Sequence, residues 1–529
     1  MLFNSYKYIF IFFPLALLLY YGVRLFGPRA QNAALVAASL AFYASWDVRF
    51  LPLLLGSILL NFSAGFAISA CRERKREGVA TLVLAGTVTA NLLSISIFKY
   101  AHFFVDNLNV MAGTGFVLGT IILPLGISFF TFEQIGFLVD VHRGETRAPD
   151  LLHYAVFVTF FPRLVAGPIL RYHEIEPQLR TIRGGPSTAE DLAVGLTIFF
   201  IGLVKKTILA DGIAPYVTTA FAGAAHGEPI DLLLSWGAAA AFACQLYFDF
   251  SGYSDMAIGA ARCFGIRFPM NFFSPYKSTS IIEFWRRWHM TLSRFLRDYL
   301  YFGLGGNRRG KVRRYANLLI TMLLGGLWHG ANWTFVLWGG LHGIYLMVNH
   351  AWLAASGQVP GLAAFRRSRL GGLFGLSVTF VAVLVGWVLF RSPNMATACN
   401  MLAGMIGRHG IVIPAGLAFA LEPFRGLSAA LGISFAQTSG AQLIYTYLWV
   451  AALLGIALVA PTTQELLGKY QPILEPVDGS SRSVPGPAGP RLLRLRWVPN
   501  SSWAVALGAL AFFGIISITR VSEFLYWQF

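Results

Sequence analysis

Charge is scarce in this 529-residue chain. Only 12% of its residues are charged, about half of what soluble domains carry, which excludes a multidomain soluble protein of this length. Acidic residues are the rarer sign: 24 Asp and Glu stand against 41 Lys and Arg, a net charge of +17. The four cysteines, Cys71, Cys244, Cys263 and Cys399, are too few and too scattered for a disulfide framework or a zinc site. They read as small buried apolar residues, with Cys71, at the edge of a charged loop, the one expected to meet solvent. There is no HExxH metal motif and no GxSxG nucleophile elbow. The run Gly305-Gly306-Asn307-Arg308-Arg309-Gly310-Lys311 has the spacing of a phosphate loop, but Val312 follows where a magnesium-binding hydroxyl would be needed, and no strand precedes it. No internal repeat suggests the paired halves of a transporter.

What is present is apolar sequence. Hydrophobic residues make up 56% of the chain and aromatics 15%, too much for disorder and suited to packed membrane helices with interfacial aromatic belts. Apolar stretches are predicted near 8–23, 33–46, 50–70, 79–98, 115–139, 192–210, 231–249, 316–349, 371–390, 400–421, 443–461 and 503–519. At about 20 residues per crossing they predict an all-α polytopic membrane protein with roughly eleven to thirteen membrane segments in a single domain, 1–529. The first reads as an uncleaved anchor.

The basic residues sit in the loops, as the positive-inside rule requires of cytosolic loops, and that reading leaves no role for nucleic acid. With Arg24 and Arg29 inside, each second loop is again basic: Arg72, Arg74, Lys75 and Arg76, then His142, Arg143 and Arg147. The stretch 151–170, interrupted by Pro162, Arg163, Gly167 and Pro168, would spoil this parity if it crossed. Segment 151–190 is therefore expected to comprise a re-entrant stretch, 151–170, and a cytosolic loop with Arg171, Arg180 and Arg183. Irregular backbone at membrane depth is tolerated only inside protein or along a wet cavity, so it hints at a site. Segment 252–315 carries the densest charge, with ten Lys and Arg between Asn271 and Arg314 among Trp, Phe and Tyr, and suggests helices lying in the headgroup plane. Segment 462–500 reads as a flexible loop.

Candidate chemistry rests on histidine in apolar surroundings. His329 lies in Leu327-Trp328-His329-Gly330-Ala331-Asn332-Trp333. An ionisable group at membrane depth is costly and faces a cavity or a partner. Asn332, three residues on, is placed to orient the imidazole if the helix continues, and Asn332 or Trp328 could stabilise an oxyanion. A plain packed histidine is an equally good reading of this window alone. His289 follows Trp285, Arg286, Arg287 and Trp288. On a continuous helix it would share a face with Trp285 and Arg286. His342, thirteen residues past His329, would point about 220° away and ranks below both.

These blocks, taken together, resemble the membrane-bound O-acyltransferases, and within them the branch that modifies bacterial polysaccharides such as alginate. The likeness is carried by the opening Met-Leu-Phe-Asn-Ser, by Phe160-Phe161-Pro162-Arg163-Leu164-Val165-Ala166-Gly167-Pro168-Ile169, by Tyr247-Phe248-Asp249-Phe250-Ser251-Gly252-Tyr253-Ser254-Asp255-Met256, by Asn271-Phe272-Phe273-Ser274-Pro275-Tyr276, by the Trp-Arg-Arg-Trp-His block ending at His289 with Arg297-Asp298-Tyr299, and by Trp328-His329-Gly330-Ala331-Asn332-Trp333. The resemblance implies tilted helices ringed around a central funnel, with His329 and His289 catalytic. Trp328, Asn332, Arg286, Arg287, Trp285 and Asp298 are the expected substrate-binding residues, and no metal and no bound cofactor are expected. The expected donor is cytosolic acetyl-CoA. The expected partners are the polysaccharide acceptor, periplasmic SGNH-type acetyltransferases and the lipids of the bacterial inner membrane. The competing readings are a D-alanyl transferase acting on teichoic acid and an exporter without bond chemistry.

Overall fold

The computed structural model describes residues 1–146, 150–165, 167–180, 188–417, 432–436, 440–475, 495–518 and 525. Arg147, Arg183 and the Gly/Pro-rich stretch 476–494 lie outside the described residues.

Apolar length builds most of the molecule. Among the described residues, seven helices are long and apolar enough to cross a membrane: Tyr8–Phe26, Val48–Glu73, Glu77–Ala112, Thr188–Ala225, Leu232–Cys263, Arg369–Arg391 and Ala441–Val459. The helix Leu232–Cys263, at 32 residues, is about 48 Å long and outreaches the ~30 Å hydrocarbon layer. Nearly all of it is buried, so protein and not lipid surrounds it, and the other helices pack about it. Asp231 caps its start, accepting from Leu233 N at 2.9 Å.

The helices that hold the site are shorter or less apolar, and several differ from the sequence expectation. The stretch 115–139 is not one helix. Residues 113–124 are non-helical and the helix is Ile127–Arg143. Gly113, Gly115, Gly119 and Pro124 withhold helix propensity, and Gly126 takes φ +67° at the helix start. The helix Leu151–Thr159 has nine residues, about 14 Å, too short to cross. The four-residue helix Phe161–Leu164 follows, opened by Pro162, and Arg163 forms a buried ion pair with Glu133. The stretch 316–349 is two helices, Gly310–His329 and Trp333–Gln358, broken at the extended Gly330. They pack as a close hairpin, since a Cβ on Gly326 would collide with the Phe335 carbonyl and one on Gly339 with the Met322 carbonyl.

The stretch 400–421 is not a span either. The helix Met395–Met405 gives way to a strand, β1 (Ile411–Pro414), paired parallel with β2 (Ile433–Ala436), Ile411 opposite Ile433. The part of 252–315 before Phe264 is the end of the long central helix. Within the rest, Ile281, Phe284, Arg287, Trp288, His289, Thr291 and Leu292 are buried, so the aromatic residues there belong to the interior, while the basic stretch Asn307–Arg313 is exposed. Of 462–500, residues 462–475 are ordered, with a capping box between Thr462 and Glu465 and a buried Gln464 donating to Asp255 at 2.7 Å. Cys399, not Cys71, is the exposed cysteine.

Candidate active site

His289 stands at a break. The helix Ile281–Arg287 ends before it and the helix Met290–Phe295 begins after it, with His289 at φ +42° in the left-handed region. A non-glycine residue held there stores strain of order 1–3 kcal/mol, a pattern concentrated at functional sites. Because the helix stops, His289 does not share a face with Trp285 and Arg286.

Asn271 holds the strained turn. Met290 N donates to Asn271 O at 2.9 Å. Asn271 Oδ1 lies 3.0 Å from His289 Nδ1, 2.9 Å from Thr291 Oγ1 and 3.4 Å from Thr291 N, while Asn271 Nδ2 donates to Ser254 Oγ at 3.1 Å. The backbone N–H of Thr291 can only donate, so the shared atom is the amide oxygen, which can only accept. His289 Nδ1 therefore carries the proton, and Nε2 keeps the lone pair of a base. Thr291 Oγ1 in turn accepts from Ile169 N at 3.1 Å, and Leu170 N donates to Glu133 Oε1 at 3.0 Å. The segment after the short helices thus braces the histidine.

His329 is the last residue of its helix and is buried. Its ring lies 5.1 Å from Trp328, 5.1 Å from Trp338 and 5.2 Å from Phe390. The Trp328 ring is also 6.3 Å from His289, so one indole separates the two imidazoles. The helix break puts His342 on the second arm of the hairpin, where its ring is 4.9 Å from that of the same Trp338. The single-helix expectation of a divergent His342 fails for that reason.

Two cavities approach this wall. One, of about 620 Å³, is lined by Met270, Trp285, Arg286, Met290, Thr291, Arg294, Arg297, His350 and Glu475, among others. The other, of about 310 Å³, is lined by Trp46, Lys99, residues 122–129, Val165, Trp328 and His329. The helix Ile127–Arg143 orders them. Its first residues line the smaller cavity, while Arg143 at its other end donates to the Asp298 carbonyl, next to the larger one, at 3.1 Å. Seventeen residues separate the two ends by about 25 Å. The smaller cavity reaches Trp328 and His329, the larger one reaches Met290 and Thr291 beside the buried His289, and the one with the arginines lies at the basic-loop end.

The structure sorts the expected binding residues. Arg286 is exposed and lines the large cavity. Arg294 is held by Glu174 at 2.6 Å and Arg297 by Asp298 at 2.6 Å, so among the described residues Arg286 is the cavity guanidinium with no carboxylate partner. Arg287 is buried elsewhere. It pairs with Glu283 at 3.0 Å and donates to Phe273 O at 3.3 Å, so it fastens the turn and lines neither of the two cavities. Trp285 lines the large cavity and lies edge-on to the His342 ring at 5.3 Å. Asp298 lines neither of the two cavities: Arg171 and Arg297 hold it. Burial opposes its ionisation, but the hydrogen bonds from Arg297 and Arg171 outweigh that and keep its carboxyl below the usual range. Asn332 does not orient His329. It caps the next helix, accepting from Thr334 N at 3.0 Å and donating to Pro393 O at 2.7 Å. Nothing in the sequence alone singles out Asn271, Thr291, Lys99 or Trp338. Asn271 stood inside a recognised block, but its tie to His289 spans 18 residues and only the fold makes it.

Arg286→Gln and Arg287→Gln are therefore expected to differ. A charged hydrogen bond contributes ~1.5–3 kcal/mol, so Arg286→Gln should raise the KM for an anionic donor roughly tenfold or more at unchanged thermal stability. Arg287→Gln should lower the thermal midpoint and leave that KM within about twofold. Substrate titrations and thermal melts on the purified variants check both.

The chain is a polytopic membrane protein in which two buried imidazoles flank one indole, with one cavity reaching His329 and another reaching Thr291 beside His289. Residues 143–374 match the membrane-bound O-acyltransferase family. Over 414 residues the chain is 44% identical to a Pseudomonas aeruginosa protein named "Probable alginate O-acetylase AlgI", covering 77% of this chain and 75% of that one. It is 39% identical over 442 residues to the peptidoglycan O-acetyltransferase of Helicobacter pylori, covering 78% and 81%. It is 29% identical over 280 residues to the teichoic acid D-alanyltransferase of Streptococcus thermophilus, covering 50% and 68%. The chain belongs to the membrane-bound O-acyltransferase family and is an O-acyltransferase, which disposes of the exporter reading.

Proposed function

We propose that this enzyme, in the bacterial inner membrane, takes an acetyl group from a cytosolic thioester, acetyl-CoA, and delivers it across the membrane toward hydroxyls of an exported polysaccharide. The observation that carries this reading is that His329 lines one cavity while a second cavity, lined by arginines, reaches Met290 and Thr291, the two residues that follow the buried His289. The relatives named for alginate and peptidoglycan acetylation support acetyl as the group and a surface glycan as its destination.

The chemistry follows from the geometry. A hydroxyl is a poor nucleophile near neutral pH, and a thioester is a good acyl donor. Arg286 draws the donor's phosphates to the large cavity, and the flexible thiol arm carries the acyl carbon past Thr291 to the wall. His289, with its proton fixed on Nδ1 by Asn271, presents Nε2 there. His329 faces the acceptor's cavity and takes the hydroxyl proton as the oxygen attacks, a contribution of about 10²–10⁴-fold. The proton then leaves on the thiolate. Extracytoplasmic SGNH-type acetyltransferases would receive the acetyl group at the smaller cavity and pass it to the polymer.

The test is transfer across a sealed membrane. The purified protein in liposomes, given radiolabelled acetyl-CoA on one side, should acetylate an SGNH-type partner or glycan only on the other. Label appearing on the donor side alone, or D-alanine but not acetate being transferred, would overturn the proposal.

A further inference from the structure

The reaction proposed above passes through an anion, and it does so beside the wrong end of a helix. His329 ends the helix Gly310–His329. The last carbonyls of a helix lack intrahelical donors and carry the negative end of its dipole, equivalent to about half an electron charge. That end favours an imidazolium but opposes a negative oxygen forming next to it. Something positive must reverse the sign there.

Lys99 is placed to do so. It and Tyr100 complete the π-helical turn Ser96–Tyr100, a wide turn of the kind frequent at functional sites. The turn aims both side chains at the end of the histidine helix. Lys99 Nζ donates to Trp328 O at 2.7 Å and to His329 O at 3.1 Å, and Tyr100 Oη donates to Leu327 O at 3.0 Å. An ammonium has three donors, and the two carbonyls occupy two. Lys99 also lines the same 310 Å³ cavity as His329, whose other walls are mostly apolar. A cation in such surroundings acts at low dielectric, where it counts for more than in water.

We propose that Lys99 is a catalytic residue of the acyl transfer, its third N–H stabilising the oxyanion that forms on the acyl carbonyl beside His329. The proposal rests on the function read above. In the step, the acceptor hydroxyl oxygen bonds to the thioester carbon, its proton passes to the imidazole, and the carbonyl π pair moves onto the oxygen facing Lys99. The pair then returns, the carbon–sulfur bond breaks, and the thiolate takes the proton from the imidazolium. Lys99 stays protonated throughout. Tyr100, which caps the neighbouring carbonyl and lines neither cavity, supplies the structural control.

Lys99→Met keeps the side-chain length and removes the charge. Measured as acetyl-CoA-dependent thiol release by the purified full-length protein, kcat should fall about 10²–10³-fold, the usual cost of losing an oxyanion donor, with both KM values within about twofold. Tyr100→Phe should cost less than about threefold. Should Lys99→Met fail to fold, Lys99→Ala purified in ethylammonium carries the test. Removing the amine should cut turnover at least about tenfold, a small part of that same loss, at an unchanged thermal midpoint, and ethanol should not restore it. Equal losses in Lys99→Met and Tyr100→Phe, near-wild-type kcat in Lys99→Met, or rescue by ethanol as good as by the amine would overturn the assignment and reduce Lys99 to a helix cap. His329→Ala keeps the two questions apart: if it too remains active, the reading of the site fails, and if it alone is inactive, only the role of Lys99 does.

Discussion

His329→Ala should abolish acyl transfer, with turnover down by at least about 10³-fold, while the protein still inserts and melts near the wild-type temperature. The size of the effect follows from what the ring does. It lines the smaller cavity, and among the side chains lining that cavity it is the one imidazole placed to take the hydroxyl proton. The structural cost is modest because the ring is packed by Trp328, Trp338 and Phe390, large side chains that hold one another when an imidazole is cut back. Donor binding should survive, since Arg286 and the rest of the large cavity are untouched. Thiol release, an acetyl-CoA binding titration and a thermal melt measure the three quantities. Activity within tenfold of wild type would remove His329 from the mechanism.

The second large effect is expected at a residue that touches no cavity proposed for the acceptor. Asn271→Leu removes the acceptor for His289 Nδ1–H and for both donors of Thr291. The imidazole then loses its fixed tautomer, and the left-handed turn at His289 loses part of what holds it. A drop in kcat of roughly 10–10²-fold is expected from misplacement of a catalytic group, with the donor KM little changed. Asn271→Asp keeps the acceptor oxygens and should recover most of that loss. If Asn271→Leu and Asn271→Asp behave alike, the amide acts through packing and not through the proton on Nδ1. Thr291→Val offers an independent reading of the same link, because it deletes one of the oxygen's donors and the acceptor for Ile169 N.

Much of the site was visible as residue types without their arrangement. His329 and His289 stand out because imidazole is costly in apolar sequence. Helical periodicity then misled: it placed Asn332 on the face of His329 and sent His342 away, because it assumed a helix through Gly330. The extended backbone there turns Asn332 into the cap of a new helix and folds His342 back to Trp338. The same assumption joined His289 to Trp285 and Arg286. Arg286 and Arg287 are adjacent and chemically identical in sequence, yet one lines a cavity and the other is buried on Glu283. Only the direction of a short helix decides between them.

The chain by itself determined that this is a helical membrane protein, because apolar length and loop charge act locally and are counted along the sequence. It also determined which family blocks are present. Tertiary structure alone decided that a lysine at 99 reaches the helix ending at 329 and lines the same cavity as His329, and that an asparagine at 271 fixes the proton on His289. Those contacts join residues from 18 to 230 positions apart, and hydrogen bonds over such separations follow from how the helices pack, which no local pattern encodes.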